Sequence, residues 1–191
     1  QQLEMESNGK GVDREGREVA YATAPVLWGG PGSDGQHAYF RLLHQGTQVV
    51  PCDLIGFRSS LDPFRDHHEQ LLANLLAQAQ ALAFGRSRPE LEAAGVSGPL
   101  LPFRAFPGNR PSTVLLADEL TPATLGKLIA LYEHKVFVQS LVWNIFPFDQ
   151  WGVELGKKIA ARLLAMVKGE EPATGEDSST RALIDYINKR R

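Results

Sequence analysis

PVLWGGPGSDGQHAYFRLLHQGTQVVPCDLIGF, residues 25–57, contains the pattern that decides the fold class. PVLWGG (25–30) is a short apolar run ended by glycines, and it reads as a buried strand. The loop PGSDG follows, and QHAYFRLLHQG (36–46) then reads as a short helix closed by Gly46. TQVVPCDLIGF (47–57) reads as a second buried strand, its Val49, Val50, Leu54 and Ile55 suiting a pleated interior. Strand, helix, strand is the unit from which α/β folds are built.

The rest of the chain extends that pattern. Asp62-Pro63 is a helix start, and Leu71, Leu72, Leu75, Leu76, Ala79, Leu82 and Ala83 recur at helical spacing up to Gly85. RPELEAAG (88–95) is a short helix ended by Gly95, and STVLLADEL (112–120) is a third candidate strand. Thr121-Pro122 repeats the helix-start signal, and the segment from there to about Ile145 is apolar on nearly all sides, as in a central helix packed by others. VELGKKIAARLLAMVKG (153–169) is amphipathic, with Ile159, Leu163, Leu164 and Val167 on one side, and TRALIDYINKRR (180–191) is a terminal helix with its basic end well placed for the helix dipole. At the other end, QQLEMESNGK (1–10) sets Gln2 and Glu6 one turn apart before a helix ending at Ser7-Asn8-Gly9. Together these elements predict an α/β layered fold with helices on both faces of a sheet, for which three strands are few.

With 191 residues, 43% of them hydrophobic, the chain suits one domain with a substantial core. Its 20 basic and 22 acidic residues are spread along the sequence and leave a net charge of -2, which argues against nucleic acid or an anionic membrane as partner. Cys52 is the single cysteine, so neither a disulfide framework nor a cysteine zinc cluster is expected; a buried small hydrophobe in a cytoplasmic protein is. No apolar run approaches the roughly 20 residues that span a bilayer.

Chemistry-bearing residues each admit two readings. Glu6 is either a solvated carboxylate at a helix end or a general base, and the second role asks for partial burial with the charge retained. His67 and His68 are adjacent, hence about 100° apart on a helix, and do not form the same-face pair that metals take. His44 ends a helix and His134 lies in the apolar central helix, so a capping role and a hydrogen-bonded core role account for them. His37 differs, because it follows GGPGSDGQ at a strand-to-helix junction, where α/β proteins place ligand-binding residues. The GGPGSDG loop lacks the spacing of a phosphate cradle. Lys157 and Lys158 fit a solvated helix side, yet FDQWG brings Trp151 and Gln150 to the start of the same helix, an unusual composition for a mere connection.

Six runs carry a resemblance to a known family: MESNGK (5–10), WGGPGSDGQHAYFRLLHQGT with VVPCD (28–53), DHHEQLLANLLAQAQALAFG (66–85), GNRPST (108–113), LIALYEHKVFVQ (128–139) and FDQWGVELGK (148–157). In this order they resemble the carboxy-terminal portion of the glucose-6-phosphate isomerases, or phosphoglucose isomerases, and the last run is similar to that family's carboxy-terminal signature. The resemblance implies a three-layer α-β-α sandwich of the sugar-isomerase (SIS) type. Residues 1–191 would form its incomplete large domain with a mixed sheet, the amino-terminal domain and the first strand being absent.

It also implies reversible aldose–ketose isomerisation of glucose 6-phosphate and fructose 6-phosphate, in glycolysis and gluconeogenesis, without metal or cofactor. Glu6 falls on the base that moves a proton between C2 and C1 through a cis-enediol(ate), His37 on the histidine that assists ring opening, and Lys157 on the lysine at the ring-opening end. Gln2 and Gln150 fall on glutamines that hold the phosphorylated sugar. The implied assembly is a homodimer in which His37 is donated across the interface.

Gly30 stands where the family usually has Glu, Ser33-Asp34 where Thr-Asn is common, and Pro107 where Glu usually precedes GNRP. The family's phosphate-binding loop and its enediolate-stabilising arginine lie upstream of the matched stretch. The alternative is therefore that this chain alone is a non-catalytic sugar-phosphate-binding or dimerisation module. Its apolar helix faces are expected to be exposed or to make oligomer contacts.

Overall fold

Strand formation is confined to two of the three apolar runs that suggest it. The computed structural model describes residues 1–149 and 151–189. In chain order it contains helix α1 (Gln2–Asn8), α2 (Gly32–Ala38), α3 (Phe40–Gln45), strand β1 (Cys52–Phe57), α4 (His67–Phe84), α5 (Arg88–Ala93), a 3₁₀ turn (Gly98–Leu100), α6 (Leu101–Arg104), β2 (Ser112–Ala117), α7 (Pro122–Val142), α8 (Trp151–Lys168) and α9 (Ser178–Asn188). The chain divides into two compact units, residues 27–135 and residues 1–26 with 136–191. Helix α7 contributes its residues up to Lys135 to the former and those from Val136 to the latter.

In unit 27–135, β1 and β2 pair in parallel, in register from Cys52 opposite Ser112 to Phe57 opposite Ala117. The expected mixed sheet is thus, among the described residues, a two-stranded parallel one. Residues 25–30 form no strand, and Val26 and Trp28 are 88% and 69% exposed. A strand exists only by pairing, and Pro25 and Pro31 remove donors at both ends of this short run while Gly29 and Gly30 weaken it.

Helix α4 begins at His67 and not at Asp62-Pro63, because Arg65 takes a left-handed φ of 52°, which interrupts a right-handed helix. The expected helix 36–46 is likewise two helices, broken at Tyr39. By contrast, the short helix expected at RPELEAAG forms as Arg88–Ala93, and the structure adds its start: Ser87 and Glu90 form a reciprocal capping box with Pro89 in the first turn.

The core of this unit is Phe40, Leu43 and Leu82, with Tyr39, Val50, Cys52 and Leu54 packed against it, so α3, α4 and β1 share one apolar contact. Cys52 is half-buried at its margin, and burial, then the Asp53 charge, pushes its thiol upward. His44 does not cap a helix. It is buried, with Nε2 2.8 Å from Gln78 Oε1 and its ring edge-on to Phe40 and Phe106.

GNRPST (108–113) is the fastening of this unit. A helix leaves its last carbonyls without partners, and at the end of α4 they are taken by Asn109 N to Ala83 O (2.8 Å) and Arg110 N to Leu82 O (2.9 Å). The Arg110 guanidinium, buried, donates to Gly46 O (2.7 Å) and Gln48 O (3.2 Å), tying in the exit of α3. Gly108 passes so close to α4 that a Cβ there would stand 2.6 Å from Phe84 O. Pro111 O then accepts from Cys52 N, which starts the pairing of β1 with β2. Across the sheet, Asp53 Oδ2 accepts from the Tyr132 hydroxyl (3.0 Å) and pairs with Lys135 Nζ (3.4 Å), fixing α7 against β1.

In unit 1–26 with 136–191, Met166, Ala173 and Ile184 form a small core with Leu163 and Val167, joining α8 to α9. Asp177 caps α9 by accepting from Ser179 N and Thr180 N. Ile159 and Leu164, expected on the buried side of α8, are exposed. Helix α7 also departs from expectation: it buries Val136 and Ser140, while His134, Phe137, Leu141 and Val142 are exposed. Its all-round apolar character has no burial in the described residues to match it.

Replacing Gly108 (φ 65°) by Ala should destabilise the protein by more than the about 1–2 kcal/mol that a left-handed residue costs, because the added Cβ meets backbone. Urea unfolding measures this; an unchanged midpoint would refute the close approach. Burial, then the hydrogen bond to Asp53, pushes the Tyr132 phenol up to about 12. The folded state therefore favours the protonated phenol, and its contribution to stability, complete below about pH 10, is lost as pH rises through about 12. Ultraviolet titration should show one late tyrosine step that Tyr132→Phe abolishes.

Candidate active site

Helix α1 is seven residues long, too short to be stable by its own hydrogen bonds, and has no side-chain cap at Gln1. It is held by partners elsewhere in its unit. Asn8, fully buried, donates through Nδ2 to Val136 O (3.0 Å) and Glu4 Oε1 (3.4 Å). Gln139 of α7, its amide nitrogen turned toward the carboxylate, donates to both Glu4 oxygens at 3.2 and 2.9 Å. Glu4 is 6% exposed, and a carboxylate that deep requires such donors. Ser7 is buried beside them.

Glu6 lies two residues from Glu4, hence about 200° around the helix, so the two carboxylates leave α1 on different sides. Glu6 is half-buried. Gln2, one turn earlier, shares its face and is exposed. Beyond the helix, Lys10 Nζ donates to Glu6 O (3.0 Å) and pairs with Asp149 Oδ1 (2.9 Å). Asp149 immediately precedes Gln150, which lies outside the described residues, and Trp151, the first residue of α8.

Lys157 is on α8 and exposed, while its neighbour Lys158 pairs with Glu154 along the solvated side (3.8 Å). Glu6, Gln2 and Lys157 therefore belong to one unit. His37, exposed in the last turn of α2, belongs to the other. Gly30, where the family pattern usually has Glu, is exposed, and a Cβ there would meet nothing within 4 Å, so packing does not demand the glycine. His68 Nε2 lies 3.0 Å from Arg58 O, and among the described residues no group of three or more His, Cys, Asp or Glu is placed to hold a metal ion. No helix among them is long and apolar enough to cross a membrane.

From sequence, Asn8 stands out only as part of a helix ending, and Glu4, Gln139, Lys10 and Asp149 carry no assigned role. A signal was present in the i,i+4 pair Glu4 and Asn8 and in the lone amide of VFVQS, a polar residue inside an apolar helix. Gln139→Leu should destabilise the protein by about 1.5–3 kcal/mol, the range for a hydrogen bond to a charged group. Thermal unfolding measures it, and a midpoint equal to that of the unaltered protein would show that Glu4 does not depend on the amide.

Comparison with known proteins matches the family model of phosphoglucose isomerase to residues 1–184. Among the similar proteins are a glucose-6-phosphate isomerase of Gloeobacter violaceus, 58% identical over 185 residues (96% of this chain, 34% of the relative), and one of Deinococcus deserti, 54% identical over 196 residues (100% and 36%). The crystal structure of a glucose-6-phosphate isomerase from Chlamydia trachomatis superposes with a TM-score of 0.78 at 38% identity, covering all of this chain and 35% of that one. The chain thus spans about a third of the length of the curated relatives it matches. Since the family match takes in MESNGK, the His37 loop, GNRPST and FDQWGVELGK together, the chain belongs to the phosphoglucose isomerase family.

Proposed function

We propose that the whole protein is a cytoplasmic glucose-6-phosphate isomerase of glycolysis and gluconeogenesis, interconverting glucose 6-phosphate and fructose 6-phosphate. Residues 1–191 serve in it as a sugar-isomerase-type domain, a three-layer α-β-α sandwich. The observation that carries the reading is the family match over residues 1–184, which contains Glu6, His37 and Lys157.

The chemistry follows from the residue types. His37 and Lys157 exchange protons with the ring oxygen and its hydroxyl, opening the hemiacetal. The Glu6 carboxylate takes the proton from C2 of the open-chain sugar, leaving a cis-enediol(ate), and returns it to C1 while a proton passes from O2 to O1. One carboxylate serves both carbons only if it is held over them, which is a demand on position more than on strength. Gln2 and Gln150 hydrogen-bond the phosphorylated sugar. The protein works as a homodimer, with His37 contributed across the interface. The half-buried setting of Glu6 and the exposure of Gln2, His37 and Lys157 support these roles.

In a protein of the relatives' full length carrying this chain, Glu6→Gln should lower kcat by about 10²-fold or more while fructose 6-phosphate binding persists. The coupled assay for glucose 6-phosphate and calorimetry measure the two. Turnover equal to that of the unaltered protein would refute the assignment of Glu6.

A further inference from the structure

Resting on the isomerase reading above, we infer that Lys10 is a positioning residue for the reaction, and that its pairing with Asp149 sets where Glu6 stands. The short helix α1 ends with several carbonyls to satisfy. Met5 O accepts from Gly9 N and Asn8 O from Ala24 N, and the carbonyl of Glu6 itself is taken by the Lys10 ammonium at 3.0 Å. The same ammonium reaches Asp149 at 2.9 Å. One side chain therefore fixes the backbone of the proposed base and the residue next to Gln150, and so couples the two runs, MESNGK and FDQWGVELGK, that carry Glu6 and Lys157.

The bridge is built more firmly than a surface pair. The side chains of Lys10 and Asp149 are only 17% and 30% exposed, whereas a lysine ammonium normally seeks water. The Lys10 backbone is held too, its carbonyl accepting from Thr23 Oγ1 at 2.9 Å. Attachment of α1 does not depend on the bridge, since Glu4 and Asn8 already anchor the helix to α7. Removing it releases the carbonyl of Glu6 without detaching the helix. Such a change alters the geometry of proton transfer more than it detaches α1, because the anchors of Glu4 and Asn8 to α7 remain.

The test compares Lys10→Met, Lys10→Arg and Asp149→Asn in a protein of the relatives' full length carrying this chain, reading kcat, KM for fructose 6-phosphate and the thermal midpoint. Lys10→Met should lower kcat about 10- to 100-fold, the scale of a misplacement near 1 Å, with KM and midpoint little changed. Lys10→Arg, which keeps the charge and the donors, should recover most of that loss. Asp149→Asn, which leaves the bond to Glu6 O in place, should fall between them, and it carries the test if Lys10→Met does not fold.

A kcat unchanged within about twofold in Lys10→Met, or in Asp149→Asn, overturns the inference. So does a loss that Lys10→Arg does not restore and that follows the thermal midpoint, the mark of a merely structural bridge. An unaltered protein without isomerase activity would instead overturn the functional reading itself.

Discussion

A buried carboxylate held by two neutral amides governs the end of the chain that carries Glu6. Glu4 is taken out of water by the packing of α1 against the end of α7, and a desolvated charge is tolerated only where donors replace its hydration. Gln139 and Asn8 supply them. Because Gln139 must reach Glu4 while Asn8 reaches Val136 O, two separate bonds to α7 fix the rotation of α1 about its axis, and with it the side from which Glu6 emerges. A helix of seven residues cannot hold such an orientation by its own hydrogen bonds.

The other unit solves a comparable problem with main chain. GNRPST closes the end of α4, reaches the exit of α3 through Arg110 and delivers β2 to its pairing with β1. The short loop between two elements thus does what a larger core would otherwise do, and Gly108 is there because only a residue without Cβ passes that close to Phe84. Backbone hydrogen bonds and the apolar contact of Phe40, Leu43 and Leu82 thus join the same elements.

Much of this was legible in the sequence. The helices of the second half, the β1 and β2 runs and the short helix after Ser87 could be read from spacing and punctuation, and the family from its resembling runs. What could not be read depends on partners distant in sequence. PVLWGG has the composition of a strand but no strand beside it among the described residues, and composition carries no information about pairing. Arg65 interrupts a helix whose start signal three residues earlier is sound, since a left-handed arginine has no sequence mark. Gln139 meets Glu4 across 135 positions, and Lys10 meets Asp149 across 139; no local pattern predicts either. His44 and His134 exchanged their expected settings for the same reason, because burial is decided by what packs on a helix face and not by how apolar its neighbours in sequence are.

The most direct test of the central claim is native-state hydrogen exchange at the Gly9 amide, which closes α1 on Met5 O. If distant partners hold the helix, this amide should be protected to the same degree as amides in the Val136–Val142 end of α7, and should lose protection together with them as denaturant is added. Exchange at Gly9 near the rate of an unstructured peptide, with α7 still protected, would mean that α1 frays independently and that Glu4, Gln139 and Asn8 do not fix the position of Glu6.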